Sequence, residues 1–277
     1  MSASVQNELI QITKTLRDKG VESANTDARL LMAHVLGIEK ARLTLHVHDE
    51  MTEEQAILVN QLALDRSDRI PMSHILGYRE FYGRRFTVTS AVLDPRPETE
   101  TLIVEALSKP FSQVLDLGTG SGAIAVTLLA ERPNATGIAT DLSTGALEVA
   151  QQNAEKHDVL PRLHFEESNW FSAVGGTFDL IVSNPPYIAL VEMPSLAPEL
   201  SFEPRIALTD EADGLTAYRK IAAGAPEHLN PNGWLMVEIG WQQGPDVAAL
   251  FNDAGLQNVA VKPDLDGRDR VVVGQLG

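Results

Sequence analysis

The 277-residue sequence predicts an α/β protein, in which a mostly parallel sheet with an antiparallel edge follows a small helical bundle and a β-hairpin. From residue 111 onwards, strand-like apolar runs alternate with helix-length segments, which is the pattern of parallel strands joined by crossover helices. The last two apolar runs have no helix-length segment between them, so we expect a hairpin at one edge of the sheet. Before residue 74, apolar residues recur at helical spacing instead.

The first 74 residues are expected to form a helical domain of their own. We expect Asn25 or Thr26 to be the N-cap of its second helix, because both side chains can accept a hydrogen bond from the first turn. A further helix is predicted to begin at Thr52, whose spacing to Gln55 is that of a capping box. No group of catalytic residues stands out here, and we expect this domain to serve docking or scaffolding.

Residues 75–93 change character and are predicted to form a β-hairpin linker. The stretch "REFYGRRFTV" alternates between polar and apolar residues around Gly83, as two strands joined by a glycine turn would. The third domain, residues 94–277, then starts with "DPRPETETLIVEAL", in which Pro97 and the acidic residues after it are suited to open a helix.

The alternation in this third domain can be followed segment by segment. Strands are expected in "QVLDL", "ATGIATDL", "RLHFEES", "FDLIV", "GWLMVEIG" and the closing pair "VAVKPDL" and "RDRVVVGQL". Helices are expected in "GAIAVTLLAE", in "STGALEVAQQNAEKH" with Ser143 as its N-cap, in "GLTAYRKIAAGAPEHL" and in "VAALFNDAG".

Composition excludes several classes of function. The net charge of −16 disfavours a protein that binds nucleic-acid phosphates stably, because such proteins carry a basic surface. There is no cysteine for a disulfide, a thiolate metal site or a Cys nucleophile, and the nearby pair His46 and His48 lacks a third metal ligand. No apolar run reaches the ~18 residues of a membrane span, and the start lacks the pattern of a secretory signal. We therefore expect a cytoplasmic protein without a metal, and nothing in the sequence demands more than a monomer.

The segment "VLDLGTGSGAIA" places three glycines, Gly118, Gly120 and Gly122, between a strand and a helix. Glycines at this position allow a ligand to approach the backbone and the chain to turn sharply into the helix. Asp141, at the end of the next strand, follows at about the spacing of an acid that binds ribose hydroxyls in dinucleotide folds. The loop by itself also fits NAD or a purely structural turn. Asp116, at the preceding strand end, could hold the loop or meet a positive ligand group.

The segment "VSNPPYIAL" is the second unusual strand end. Pro185 and Pro186 have no N–H for a sheet ladder, so the strand must end near Asn184. The Asn184 carboxamide oxygen and a proline carbonyl can accept hydrogen bonds from one NH2 group, and Tyr187 can stack on the flat group that bears it. In isolation, this turn could also be only a proline-rich strand terminator.

An amide or aromatic NH2 group is a poor nucleophile, because its nitrogen lone pair is delocalised. Two acceptors placed for a pyramidal nitrogen would favour the geometry in which that lone pair can react. The electrophile must be strong, because the motif supplies no general base. The methyl sulfonium of S-adenosylmethionine fits a crevice that has a glycine loop and a ribose-binding acid, so the sequence predicts methyl transfer onto a planar NH2 group.

The chain resembles the HemK/PrmC family of release factor glutamine methyltransferases. The resemblance covers almost the whole chain and includes "ILGYREFYG", "PRPETETLIVEAL", "VLDLGTGSGAIAV", "FDLIVSNPPYI", "FEPRIAL", "DGLTAYRKI", "GWLMVEIGWQQG" and "GRDRVV". It implies a Rossmann-like class I methyltransferase domain and an N-terminal substrate-docking domain. It also implies transfer of methyl from S-adenosylmethionine to the side-chain amide nitrogen, N(5), of the glutamine in the Gly-Gly-Gln motif of class I peptide chain release factors, proteins of translation termination.

The resemblance also implies roles for individual residues. Cofactor-binding residues would be Gly118, Thr119, Gly120, Ser121 and Gly122 along the methionine and ribose, Asp141 on the ribose hydroxyls, Trp170 beside the adenine, and Asn184. The substrate glutamine would be held by Asn184, Pro185, Pro186 and Tyr187, of which Asn184, Pro185 and Tyr187 would be catalytic. Asn169 stands where relatives often have an acid, which leaves a contact to the adenine amine open.

Alternatives remain at this point. N-P-P-Y is shared with enzymes that methylate a ribosomal-protein glutamine or the exocyclic amine of adenine in DNA, although the negative charge argues against DNA. A cofactor-binding module that has lost its chemistry is a further class. Trp170 could be a core residue, and Glu203 and Arg205 could shape the substrate entrance or belong to a surface loop.

Overall fold

The structure is a computed structural model that describes residues 4–277. The chain divides into two compact units. The first unit consists of residues up to Gly77 together with a short distant segment, Ala197–Phe202, and the second contains Tyr78–Leu196 and Glu203–Gly277. The grouping of Ala197–Phe202 with the first unit has no counterpart in the sequence analysis.

The first unit is helical, as its periodicity predicts. Its α-helices are α1 (Val5–Asp18), α2 (Ala24–Leu36), α3 (Glu53–Ser67) and α4 (Met72–Leu76), with a 3₁₀ helix at Lys40–His46 between α2 and α3. The capping box of Thr52 and Gln55 at the start of α3 is confirmed. The predicted N-cap of α2 is wrong: the helix starts earlier, after Ser23, whose hydroxyl donates to Asp27 within the first turn.

An ion network in the first unit holds its distant segment. Arg66 of α3 is almost fully buried, and its Nε donates to Asp27 Oδ2 over 2.8 Å. The guanidinium of Arg66 also donates to Glu199 Oε1 at 3.2 Å, and Arg69 contacts the same oxygen at 3.4 Å. A buried guanidinium requires opposite charge and filled hydrogen bonds. Glu199 therefore completes the charge balance that Arg66 needs inside this unit.

The second unit begins with the predicted hairpin. Strands β1 (Tyr78–Phe81) and β2 (Arg84–Thr87) pair antiparallel, and the two residues between them, Tyr82 and Gly83, both have positive φ. This is the combination that a tight two-residue hairpin turn requires. Tyr82 is further held by its backbone N–H, which donates to Glu100 Oε1 at 2.8 Å.

The main sheet of the second unit has seven strands in the order β5-β4-β3-β6-β7-β9-β8. Pairing is parallel from β5 to β7, and β9 and β8 continue the sheet antiparallel, which confirms the predicted edge. The strands are β3 (Gln113–Leu117), β4 (Thr136–Asp141), β5 (Leu163–Glu167), β6 (Phe178–Ser183), β7 (Leu229–Glu238), β8 (Gln257–Pro263) and β9 (Asp269–Gln275).

Helices cover both faces of this sheet. They are α5 (Glu100–Leu107), α6 (Ala123–Glu131), α7 (Thr144–Lys156), α8 (Thr216–His228) and α9 (Gly244–Asp253). Alternate strand residues face opposite sides: Val114 belongs to the core with α5, α6 and α7, and Leu115 to the core with α8 and α9. Since both faces are covered, the central strands are almost continuously apolar, and ligands can reach only the strand ends.

None of the helices within residues 4–277 combines the length and the apolar character that crossing a bilayer would require.

Candidate active site

A cavity in the second unit lies at the carboxyl ends of β3, β4 and β6. The parallel register places Leu117, the last residue of β3, opposite Ser183, the last residue of β6. The glycine loop and the Asn-Pro-Pro-Tyr turn therefore leave the sheet side by side. This is the edge at which open α/β sheets bind ligands.

The glycine loop, residues 118–122, uses left-handed backbone at each of its glycines, where φ is 69° at Gly118, 54° at Gly120 and 79° at Gly122. A Cβ at Gly120 would meet no protein atom within 4 Å, so the space beside it is open to a ligand. A Cβ at Gly122 would instead lie 3.1 Å from Ala150 Cβ of α7. Gly120 thus allows close approach of a ligand, whereas Gly122 allows close packing of two helices.

Asp116 holds this loop from inside the sheet. Its Oδ2 accepts hydrogen bonds from Thr119 Oγ1 at 2.7 Å and from the N–H of Ala125 at 3.2 Å. Burial raises the pKa of Asp116 to about 7, against the lowering effect of these two hydrogen bonds. The sequence analysis left two roles open for Asp116, which were to hold the loop or to meet a positive ligand group. These hydrogen bonds show that it holds the loop.

Asp141 ends β4 and borders the same cavity. Its Oδ2 accepts from the N–H of Gly120 at 2.9 Å, and its Oδ1 accepts from the N–H of Ser143 at the same distance. Burial raises the pKa of Asp141, against the opposing hydrogen bonds. Each carboxylate oxygen retains a second lone pair for a ligand hydroxyl. Ser143 also caps α7 as predicted, because its hydroxyl accepts from the N–H of Ala146.

Trp170 lines the cavity beyond β5 and is half-buried. Its φ of 58° lies in the left-handed region, which a bulky residue seldom adopts. The hydroxyl of Ser168 stabilises this backbone conformation, because it donates a hydrogen bond to the Trp170 carbonyl oxygen at 2.7 Å. Asn169, which is exposed, lines the same wall.

Asn184 lines the cavity from the end of β6. Its Nδ2 donates to Thr99 Oγ1 at 3.2 Å, across 85 residues of sequence. Its Oδ1 is buried and has no hydrogen-bond partner among residues 4–277. A buried acceptor without a partner is costly, so it indicates a position at which a ligand donor completes the structure.

The rest of the turn divides between cavity and core. Pro186 lines the cavity, whereas Pro185 is buried outside its lining and Tyr187 packs against the core beside α8 and α9. Burial raises the pKa of Tyr187 to about 12. The Tyr187 carbonyl accepts from Gln243 Nε2 at 3.0 Å, and a Cβ at Gly214 would collide with that carbonyl. The turn is thus fixed from behind.

Most of the residues proposed from sequence border one cavity. The members are Gly118, Thr119, Gly120, Ser121, Asp141, Trp170, Asn184 and Pro186. Gly122, Pro185 and Tyr187 lie outside its lining. The buried Glu203 forms an ion pair at 2.6 Å with Arg96, which is partly exposed, and Arg205 pairs with Glu211 at the surface. No three metal-ligating side chains gather anywhere in the described part of the chain, residues 4–277.

Sequence reasoning overlooked several supports of this site. Asn153 of α7 is fully buried and donates to the carbonyls of Ser121 and Thr87 at 2.9 Å, while its Oδ1 accepts from the N–H of Thr87 at 2.7 Å. Thr99, behind Asn184, also lines the cavity. These polar residues lie in helical or turn segments in which a polar residue is usually exposed at the surface. The only signal in the sequence was an Asn within an otherwise apolar helix face.

Comparison with known proteins agrees with this geometry. Residues 9–77 match the model of the PrmC N-terminal domain, and residues 96–200 match the methyltransferase small domain. The chain is 56% identical to the release factor glutamine methyltransferase of Cereibacter sphaeroides, covering 93% of each chain. It is 41% identical to the protein of the same name from Geobacter sulfurreducens, over 95% of this chain and 93% of that one.

Among solved structures, a methyltransferase from Pyrococcus furiosus matches with a TM-score of 0.55 at 19% identity, covering 77% of this chain and 98% of that chain. At this sequence identity, the similarity supports a shared fold and nothing further.

Proposed function

The chain belongs to the release factor glutamine methyltransferase family, and from this premise we propose that its acceptor site is the Asn184–Tyr187 turn, which receives the glutamine of the Gly-Gly-Gln motif of class I release factors. The reaction is methylation of a glutamine side chain, with S-adenosylmethionine as the methyl donor. The observation that carries the site assignment is the buried, unpartnered Oδ1 of Asn184 in a residue that borders the cavity of the glycine loop.

The residues of the cavity fit S-adenosylmethionine. Gly118 and Gly120 allow an amino-acid moiety to approach the backbone, Asp141 has lone pairs for ribose hydroxyls, and Trp170 offers an aromatic face for adenine. The Asp116 carboxyl, whose Oδ1 has no partner among residues 4–277, adds negative potential behind the loop when it is ionised, and its raised pKa confines this to pH values above about 7. These contacts are the cofactor-binding part of the proposal. When bound, the cofactor supplies an electrophilic methyl group on a sulfonium.

The turn positions the nucleophile. Asn184 Oδ1 and a carbonyl of the Pro185–Pro186 segment accept the two N–H bonds of the glutamine amide, and Tyr187 supports the turn from the core side. Acceptors arranged for a pyramidal nitrogen stabilise the transition state more than the planar ground state, because the lone pair is released from the amide only there. The nitrogen lone pair forms the new N–C bond, the C–S electron pair stays on sulfur, and one amide proton leaves to water.

The wider assignment follows from the substrate. We propose that residues 1–74 dock the release factor, that residues 75–93 link this domain to the methyltransferase domain at 94–277, and that the enzyme works as a monomer. A substrate that acts in translation supports a cytoplasmic location. No stable nucleic-acid contact and no membrane contact is part of the proposed reaction.

Radiolabelled S-adenosylmethionine tests the proposal directly. The protein is incubated with a purified release factor and, in parallel, with the same factor carrying Ala in place of the Gly-Gly-Gln glutamine. Label on the first and none on the second is the expected result. Label on both would move the acceptor to another residue of the release factor. If neither is labelled while the cofactor still binds, the substrate assignment is wrong, and a ribosomal protein and adenine in DNA are tested next.

A further inference from the structure

The Asn184–Tyr187 turn is held at both of its ends, but by different means. In front of it, Ser183 closes β6: its backbone lies in register with Leu117 of β3, and its hydroxyl donates to the Leu117 carbonyl oxygen at 2.7 Å. Behind it, the Tyr187 carbonyl oxygen accepts from Gln243 Nε2 at 3.0 Å. The two prolines between these ends have no N–H with which to bond to the protein. A side chain 56 positions away in the sequence therefore holds the far end of the turn.

The carboxamide of Gln243, the residue before α9, bonds to backbone groups of three separate segments. Its Nε2 donates to the carbonyl oxygens of Tyr187, at 3.0 Å, and of Gly214 in the loop before α8, at 3.3 Å. Its Oε1 accepts from the N–H of Gly240, beyond the end of β7, at 3.0 Å. The hydroxyl of Tyr218 lies 3.4 Å from the same oxygen. One side chain thus joins the turn to the loop before α8 and to the end of β7.

The backbone partners allow the Gln243 amide only one orientation. A carbonyl oxygen can only accept a hydrogen bond, and a backbone N–H can only donate one. Rotating the amide by half a turn would place Oε1 against two carbonyl oxygens and Nε2 against the N–H of Gly240. The three backbone groups therefore keep the NH2 group of Gln243 on the side of Tyr187.

Two glycines make room for this arrangement. A Cβ at Gly214, whose φ is 79°, would collide with the Tyr187 carbonyl and lie 3.0 Å from Gln243 Nε2. A Cβ at Gly240 would lie 2.9 Å from Gln243 Oε1. Asp210 fixes the loop that brings Gly214 into place, since its carboxylate accepts from the N–H of Gly214 at 2.9 Å. The three segments are therefore packed closely around this one carboxamide.

We propose that Gln243 is a positioning residue for methyl transfer: by holding the Tyr187 carbonyl, it places the Asn184–Tyr187 turn and with it the substrate amide. This inference rests on the proposed acceptor site. Gln243 lies outside the cavity lining and acts without touching substrate or cofactor. A misplacement of reacting groups by about 1 Å can cost about 100-fold in rate. Loss of the contact should therefore lower kcat and leave cofactor binding intact.

Two substitutions of similar length separate the contacts of the carboxamide. Gln243→Glu keeps an oxygen for the Gly240 N–H but turns a second oxygen towards the Tyr187 carbonyl, whereas Gln243→Met removes both contacts. With release factor and S-adenosylmethionine saturating at pH 8.5, kcat should fall by about 10- to 100-fold in each variant. KM for S-adenosylmethionine and affinity for S-adenosylhomocysteine should stay within about threefold, because the glycine loop is untouched. If Gln243→Glu keeps the wild-type kcat, the contact with Gly240 suffices and the proposal is overturned.

Matched controls isolate the effect on the turn. Gln242→Met makes the same substitution at the exposed neighbouring residue and should leave kcat unchanged. Gly214→Ala displaces the Tyr187 carbonyl by collision rather than by loss of a hydrogen bond, and should also lower kcat. Gly255→Ala is its control, because a φ of 82° gives similar strain with no atom within 4 Å of the Cβ. Equal kcat values in the two alanine variants would contradict a role for the position of this carbonyl.

Hydrogen exchange reports on the far end of the turn without turnover or substrate. The amide of Ile188 donates to the Leu208 carbonyl oxygen at 3.0 Å, directly after Tyr187. It should exchange about tenfold faster in Gln243→Met than in the wild-type protein or in Gln242→Met, because one hydrogen bond that opposes local opening is lost. An unchanged rate in Gln243→Met would overturn the proposal. A wild-type protein that binds cofactor but transfers no methyl would contradict the proposed function instead, and the exchange rates would still decide whether Gln243 holds the turn.

Discussion

The two strand ends that border the cavity are neighbours in the sheet but continue in opposite kinds of backbone. β3 runs into the glycine loop, whose glycines have positive φ and little stiffness of their own. β6 runs into Asn184–Pro186, where two prolines restrict the chain. The loop exposes its backbone to a ligand. Its conformation depends on hydrogen bonds from side chains outside the loop, namely Asp116 and Asn153. The turn is stiff and offers one carboxamide. With the proposed roles of the two segments, we expect changes in the loop to impair cofactor binding and changes in the turn to impair acceptor positioning.

The largest effect is expected from Asn184→Ala on the stiff turn. Removing a group that stabilises the transition state typically lowers kcat by about 10²- to 10³-fold, whereas affinity for S-adenosylhomocysteine should change little because the glycine loop is intact. Kinetics and calorimetry measure the two quantities. Asn169→Ala removes an exposed carboxamide from the same cavity and should retain kcat within a few-fold. A comparable loss of kcat in that variant would mean that the acceptor role does not belong to Asn184.

Asn153→Ala should affect the loop through loss of its outside support. The change removes the three hydrogen bonds of a buried side chain and leaves the Thr87 and Ser121 backbone groups without these partners, which should lower the free energy of unfolding by about 2 to 3 kcal/mol. Cofactor affinity should fall as well. Asn252→Ala, at an exposed residue whose amide donates only to the carbonyl of Ala248, serves as the control in the same denaturant titrations. Equal losses in the two variants would contradict the special role of Asn153.

Gly120→Ala should weaken cofactor binding by about tenfold or more, because a left-handed residue with a Cβ costs ~1 kcal/mol and the methyl group occupies ligand space. At saturating cofactor, kcat should stay near the wild-type value. Gly176→Ala is the matched control, since its φ of 84° gives similar strain with open space around the Cβ and it lies outside the cavity lining. Unchanged affinity in Gly120→Ala would show that the ligand does not approach the loop there.

The smallest effect is expected from Pro186→Ala. Greater freedom of the unfolded chain should lower stability by about 0.4 to 1 kcal/mol, and looser positioning of Asn184 should lower kcat by a few-fold without a change in cofactor affinity. Pro133→Ala, at an exposed proline after α6, gives the same entropic change away from the cavity. The stiffness of the turn would be irrelevant to transfer if both variants kept full kcat.

The features that were predictable are those with local causes. The glycine loop, the end of β6 at the prolines and the Ser143 cap each follow from residues within a few positions of one another. The N-cap of α2 failed because Asn25, Thr26 and the preceding Ser23 are all competent caps, and only packing decides which residue starts the helix. Thr99 and Asn153 were not predicted, because their hydrogen-bond partners come from distant positions of the sequence, as with the 85 residues between Thr99 and Asn184.

The ion network of Arg66 has a consequence for how such proteins can be recombined. Because Glu199 lies in a segment inserted far downstream of the helices that it neutralises, residues up to Gly77 are not a self-sufficient module. An exchange of the helical unit between relatives at a single crossover after Gly77 would separate Arg66 from Glu199. A chimera that transfers Ala197–Phe202 together with the helical stretch keeps the pair. Transfer of this compact unit therefore requires two separate segments of the sequence.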